Sequence, residues 1–154
     1  MSNYKTHSKF NIFLALPLLI GGCHYFMNSH PHHLMTFAGA FIYSTLFMSP
    51  DMDLAYQIRL LSLRGLFSIP FRSYAQFFSH RGLSHHLLLG SFTRILWLAF
   101  WGFFIFFAIY KSTPKEASLF KFYARHKLFI LYGLAGVCFA DWCHLLLDNK
   151  GKLK

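Results

Sequence analysis

Trp97-Leu98-Ala99-Phe100-Trp101-Gly102-Phe103-Phe104-Ile105-Phe106-Phe107-Ala108-Ile109-Tyr110 contains no charged side chain and hardly a polar one. With the residues before it, the apolar stretch runs from Ser91 to Tyr110, and Arg94 can snorkel from its start. As a helix rising 1.5 Å per residue it reaches about 30 Å, the thickness of a bilayer's hydrocarbon core. Phe at this density has no place on the outside of a small water-soluble helix. The stretch predicts a membrane-spanning helix.

Three further stretches resemble it. Phe10 to Met27 carries one proline and a Gly-Gly pair, and Leu34 to Met48 is short, spanning only with flanking residues or local thinning. Leu128 to Leu147 is long enough but contains Asp141 and His144. Between the second and third, Leu54 to Phe78 interleaves Arg59, Arg64 and Arg72 with Leu, Phe and Ile and includes Pro70. That mixture suits a helix or helix pair lying in the interface better than a crossing. The expected fold is all-α: a membrane-embedded helical bundle of about four transmembrane helices plus an interfacial helical segment, in one domain over residues 1–154.

Composition agrees. Of 154 residues, 55% are apolar and 20% aromatic, with 20 Phe. Only 13% are charged, roughly half the share of a globular protein. A soluble all-α histidine-rich bundle is the alternative, and the Phe runs oppose it. The net charge of +10 would suit nucleic acid or an anionic membrane surface. Without an Arg/Lys-rich helix it points to basic flanks of apolar segments, so lipid and not nucleic acid is the expected partner. Cys23, Cys138 and Cys143 sit in apolar runs without metal-finger spacing and read as small hydrophobes. Gly21-Gly22-Cys23 has a passing likeness to a lipoprotein signal. Cleavage there would discard His7, and the first stretch is read as a retained helix.

Four crossings put His7, Asp51, Asp53, the His80–His86 run and Asp141–Asp148 on one side. That side carries Lys5, Lys9, Arg59, Arg64, Arg72, Arg81, Arg94, Lys150, Lys152 and Lys154; the other has five basic residues, all in a loop from Lys111 to Lys127. The positive-inside rule then predicts an inner (cytoplasmic) membrane protein with both termini cytoplasmic.

The chain has five acidic residues, and four of them, Asp51, Asp53, Asp141 and Asp148, lie within or beside apolar segments. A carboxylate near hydrocarbon needs a cation or an arginine. Asp51 and Asp53 stand one residue apart just after a span, where irregular backbone can aim both at one ion. His80 and His85 flank Gly82. Asp141, His144 and Asp148, spaced i, i+3 and i+7, share one helix face. Imidazole and carboxylate together suit zinc, manganese or iron, with magnesium behind them. Salt bridges to arginines such as Arg81 are the bland alternative. Elsewhere, His24 reads as a satisfied polar group, His126 as a loop residue, and His30, His32 and His33 as a small cluster on the opposite side.

The elements Lys5-Thr6-His7, Ser49-Pro50-Asp51-Met52-Asp53, Ser79-His80-Arg81-Gly82-Leu83-Ser84-His85 and Asp141-Trp142-Cys143-His144-Leu145-Leu146-Leu147-Asp148 resemble, in that order, the metal-binding membrane proteins of the DUF2227 family. They are also similar to the membrane-bound metal-dependent hydrolases of the DUF457 type. The resemblance covers His7 to Asp148. It implies His7, Asp51, Asp53, His80, His85, His144 and Asp148 as ligands. Ser84 stands where Thr is common, and the extra His86 leaves open which of His85 and His86 ligates. Asp141 is open between ligand and supporting group.

Seven ligands exceed what one ion needs, so one or two divalent ions are expected, zinc first and manganese or iron next. A site beside the membrane suits a metal-dependent hydrolase acting on a phosphorylated or lipid-linked substrate. Asp53 or Asp141 would serve as base, and Arg81 as salt-bridge partner or clamp for an anionic group. The rivals are a metal transporter or sensor, with ligands deeper in the bilayer, and a structural membrane protein whose aspartates pair with arginines.

Overall fold

The computed structural model describes residues 4–48, 62, 65–66, 69–77 and 89–152. Asp51, Asp53, His80, Arg81, His85 and His86, and most of the Leu54–Phe78 segment, lie outside the described residues.

All the regular elements described are helical. α1 (Tyr4–Phe10) passes through a π-helical turn, Asn11–Ala15, into α2 (Leu16–Met27). Pro17 explains the local widening: it has no N–H to return, and its ring crowds the carbonyl four residues back. The chain keeps right-handed dihedrals at Phe10, Ala15 and Leu16, while the Leu16 N–H reaches the Asn11 carbonyl. The wider turn keeps His7, Asn11 and Ala15 all buried, where a regular helix would rotate every fourth residue off the face by about 40°.

Asn28 ends α2 in the left-handed conformation that Asn tolerates. α3 (Pro31–Phe47) starts on a proline, where the missing N–H is harmless. α4 (Ile69–Phe77) is the longest described part of the expected interfacial segment, followed by α5 (Leu89–Tyr110) and α6 (Glu116–Lys152).

Named contacts set the directions. α1 begins where α6 ends, His7 beside Asp148, and Ser29 after α2 bonds Tyr132 near the middle of α6. α3 runs parallel to α6: His33 stacks on Tyr132 early, and Ser44 meets Asp141 late. α5 starts at Asp141 and runs the other way. The long helices therefore alternate, and the start of α1 and end of α6 share one end of the bundle.

α3 against α6 is the most extensive packing. The helices meet at Gly136, where an added Cβ would lie 2.5 Å from the Phe37 carbonyl oxygen. Phe37, Phe41, Ala15, Leu16 and Ala140 form the core around this contact. Met48, Phe71 and Tyr74 form a second core, which draws α4 onto α5. There Trp97 Nε1 donates to the Pro70 carbonyl at 2.7 Å, and Tyr74 and Thr93 share a hydrogen bond.

Among the described residues three helical stretches are long and apolar enough to cross a membrane: Thr6–Met27, Leu89–Tyr110 and Glu116–Asp148. The sequence pointed to about four. α3, with 17 residues, reaches only about 25 Å. Much large apolar surface faces outward, including Phe13, Leu18, Phe100, Phe104 and Leu131.

Two expectations are corrected. The Lys111–Lys127 stretch is a loop only as far as Lys115, because α6 begins at Glu116 and carries Lys121, Arg125 and Lys127 on its first turns. Arg94 does not snorkel: it is 1% exposed and turned into the bundle, because Asp141 waits there.

Candidate metal centre

His7 enters from the first turns of α1, and His144 and Asp148 from the last turns of α6. Spacing four apart stacks the α6 pair on one face, and the antiparallel start of α1 brings His7 against it. The His7 and His144 rings stack with centroids 4.2 Å apart and 23° between planes. His7 Nε2 lies 3.2 Å from Asp148 Oδ1, and His144 Nε2 lies 3.6 Å from Asp148 Oδ2. The imidazoles are buried and Asp148 is a quarter exposed, so the cluster opens at its carboxylate edge.

One donor atom from each of the three lies within 4.8 Å of the others. Bonds of about 2.0–2.2 Å in tetrahedral arrangement place neighbouring donors roughly 3.4 Å apart. The two His–Asp separations bracket that value. Two imidazoles and a carboxylate also match zinc, manganese or iron(II) in donor type. The residues present fit a divalent ion. Among the described residues these three are the ones grouped so that they could hold an ion.

One turn deeper, Asn11 ties the two ligand helices together. Its Nδ2 donates to the Ala140 carbonyl at 3.0 Å and to Thr45 Oγ1 at 3.3 Å. In a helix the Ala140 carbonyl also receives the N–H of His144, and its two lone pairs accommodate both. Asn11 thus holds the helix of His7 to the backbone turn that presents His144.

Beside it on α6, also one turn before His144, lies Asp141, which the sequence left open between base, ligand and supporting group. It stands apart from the three-residue group, and both its oxygens are engaged. Arg94 approaches Oδ2 at 3.0 Å and Oδ1 at 3.2 Å. Ser91 donates to Oδ2 at 2.6 Å and Ser44 to Oδ1 at 3.2 Å. The arginine alternative raised for the buried acids is realised here, with Arg94 as the partner.

Of the seven ligands implied by resemblance, the structure brings together His7, His144 and Asp148. Asp51, Asp53, His80 and His85 fall outside the described residues, as does Arg81. His24 is exposed and His126 half-buried. His30 and His32 stack 5.2 Å apart at the far end of the bundle, beside His33, and among the described residues none of the three joins a metal-binding group. Sequence reasoning missed Asn11 and the Arg94–Asp141 pair. A signal existed for the pair: opposite charges inside two separate apolar runs require a mutual solution. Asn11 gave none, since a single amide in an apolar helix is unremarkable until its neighbour is known.

The family model described as "Uncharacterized metal-binding protein (DUF2227)" matches residues 3–153. Neither the curated proteins nor the solved structures include a match to this chain.

Proposed function

The chain belongs to the DUF2227 family of metal-binding proteins, and from that premise we propose that it is an integral membrane protein holding a divalent cation with His7, His144 and Asp148, and that it hydrolyses a phosphoester or lipid-linked substrate at that site. The observation that carries the reading is the convergence of His7 with His144 and Asp148 from opposite ends of the chain. Two hydrophobic helices have no packing reason to stack two histidines beside an aspartate, and burying them together is costly unless a cation or proton compensates.

A bound divalent ion would polarise a phosphoryl or carbonyl oxygen and lower the pKa of water there. The chain's own contribution is to hold the donors. His7 and His144 present buried nitrogens, Asp148 stands at the open edge, and Asn11 fixes the spacing of the two helices. The outward Phe, Leu and Ile surface supports lipid as the surrounding solvent, which would bring lipid-borne substrates to the same level. The cluster sits at helix ends rather than halfway along, which favours hydrolysis over transport.

The test is the metal content of detergent-purified protein by elemental mass spectrometry, for wild type and His7→Ala/His144→Ala. One or two equivalents of zinc, manganese or iron, lost in the double variant, support the metal reading. Phosphate release from short-chain phosphatidate or a lipid diphosphate by wild type, absent in the double variant, would establish hydrolysis. Protein that stays empty after incubation with those ions would refute the metal site.

A further inference from the structure

Arg94 is the largest fully buried side chain among the described residues. Its Nε donates to the Gly90 carbonyl at 2.8 Å, and its Nη1 to the Met48 carbonyl at 2.7 Å. The rest of the fork meets both oxygens of Asp141. Met48 closes α3 and Gly90 opens α5. Asp141 lies one turn before His144 and two before Asp148 on the same face of α6.

Stability alone does not call for such an arrangement. Replacing a buried ion pair with apolar residues of similar size is often neutral or stabilising. What a planar five-donor fork adds is fixed geometry: it can hold two backbone carbonyls and one carboxylate at set angles at once. Here those groups belong to the exit of α3, the entry of α5 and the ligand-bearing helix.

We propose that Arg94 and Asp141 are a positioning pair for the metal centre, holding the end of α3 and the start of α5 in register with the helix that carries His144 and Asp148. The inference rests on the metal reading above. It makes Asp141 a partner of Arg94 rather than a base, and it makes metal affinity depend on two residues outside the His7, His144 and Asp148 group.

The experiment is cobalt(II) titration of the full chain in detergent, followed by its visible spectrum, alongside thermal unfolding. The variants are Arg94→Met/Asp141→Leu, Arg94→Lys and, as a control for lost packing, Phe37→Ala. The double variant removes both charges of the pair together and is expected to fold. It should bind cobalt at least tenfold more weakly, with an altered spectrum, while its Tm stays near wild type. Wild-type affinity and spectrum in a folded double variant would overturn the proposal and leave the metal reading standing. If the double variant does not fold, Arg94→Lys decides. An ammonium keeps the charge but cannot hold both carbonyls and both carboxylate oxygens, so affinity should fall further than in Phe37→Ala. Affinity equal to that control would overturn the proposal. A wild type that takes up no cobalt would overturn the metal reading and this inference together.

Discussion

The imidazoles of His7 and His144 stack with 4.2 Å between ring centroids, although they lie near opposite ends of the chain. Nothing local joins them. His7 reaches its position because α1 and α6 run antiparallel, because the π turn keeps Asn11 and Ala15 on the buried face, and because Asn11 bonds the Ala140 carbonyl. Asp148 then meets both rings from one side. A site assembled this way depends on helix register, and its variants should separate into ligand losses and register losses.

Ligand losses should be severe. His7→Ala, His144→Ala and Asp148→Ala each remove one of three donors. Disturbing groups that merely support a ligand typically costs about 10–100-fold in metal affinity, and losing a ligand should exceed that. Competition titration against a chromophoric chelator measures it. Affinity within threefold of wild type for any of the three would remove that residue from the ligand set.

Asn11→Ala should behave as a register loss. It removes two buried hydrogen bonds and strands Thr45, at a cost of about 1–3 kcal/mol. Metal affinity should drop about 10–100-fold, with stoichiometry at saturating metal unchanged. Asn11→Asp is expected to be worse, because it replaces the donor with a charge facing the Ala140 carbonyl oxygen. Unaltered affinity in Asn11→Ala would show that the π turn and packing alone place His7.

How much of this was legible depends on whether the deciding interaction lay along the chain or across it. The third span reads almost to its observed limits, Ser91–Tyr110 against Leu89–Tyr110, because an uninterrupted apolar run carries its own boundary. The spacing of His144 and Asp148 also reads directly, since a helix face is a local property. Arg94 misled for the opposite reason. A lone arginine at the end of an apolar run looks like an interfacial anchor, and its buried role exists only once α6 brings Asp141 beside it. The first turns of α6 looked like loop because Lys121, Arg125 and Lys127 broke the hydrophobic run, yet charge ends a span without ending a helix.

Membrane residence has its own test. With Phe13, Leu18, Phe100, Phe104 and Leu131 turned outward, the protein should stay in the membrane pellet after alkaline carbonate treatment and leave it only with detergent. Recovery in the carbonate supernatant as a soluble monomer would be incompatible with three lipid-crossing helices.

The last prediction concerns two glycines one turn apart on α6. A Cβ at Gly136 would sit 2.5 Å from the Phe37 carbonyl oxygen and 3.1 Å from both Ala40 Cβ and the Phe41 nitrogen. Two of those three atoms are backbone and cannot swing away, so Gly136→Ala must push α3 from α6, at about 1–3 kcal/mol. At Gly133 the same Cβ would meet only Thr36 Cγ2, at 3.9 Å, an ordinary contact. There, Gly→Ala removes unfolded-state freedom without a clash and should stabilise by about 0.4–1 kcal/mol. Opposite signs are therefore expected from the same substitution three residues apart, read as Tm in detergent. A rise for both would mean that α3 and α6 do not approach at Gly136, and the register that joins Ser44 to Asp141 would have to be redrawn.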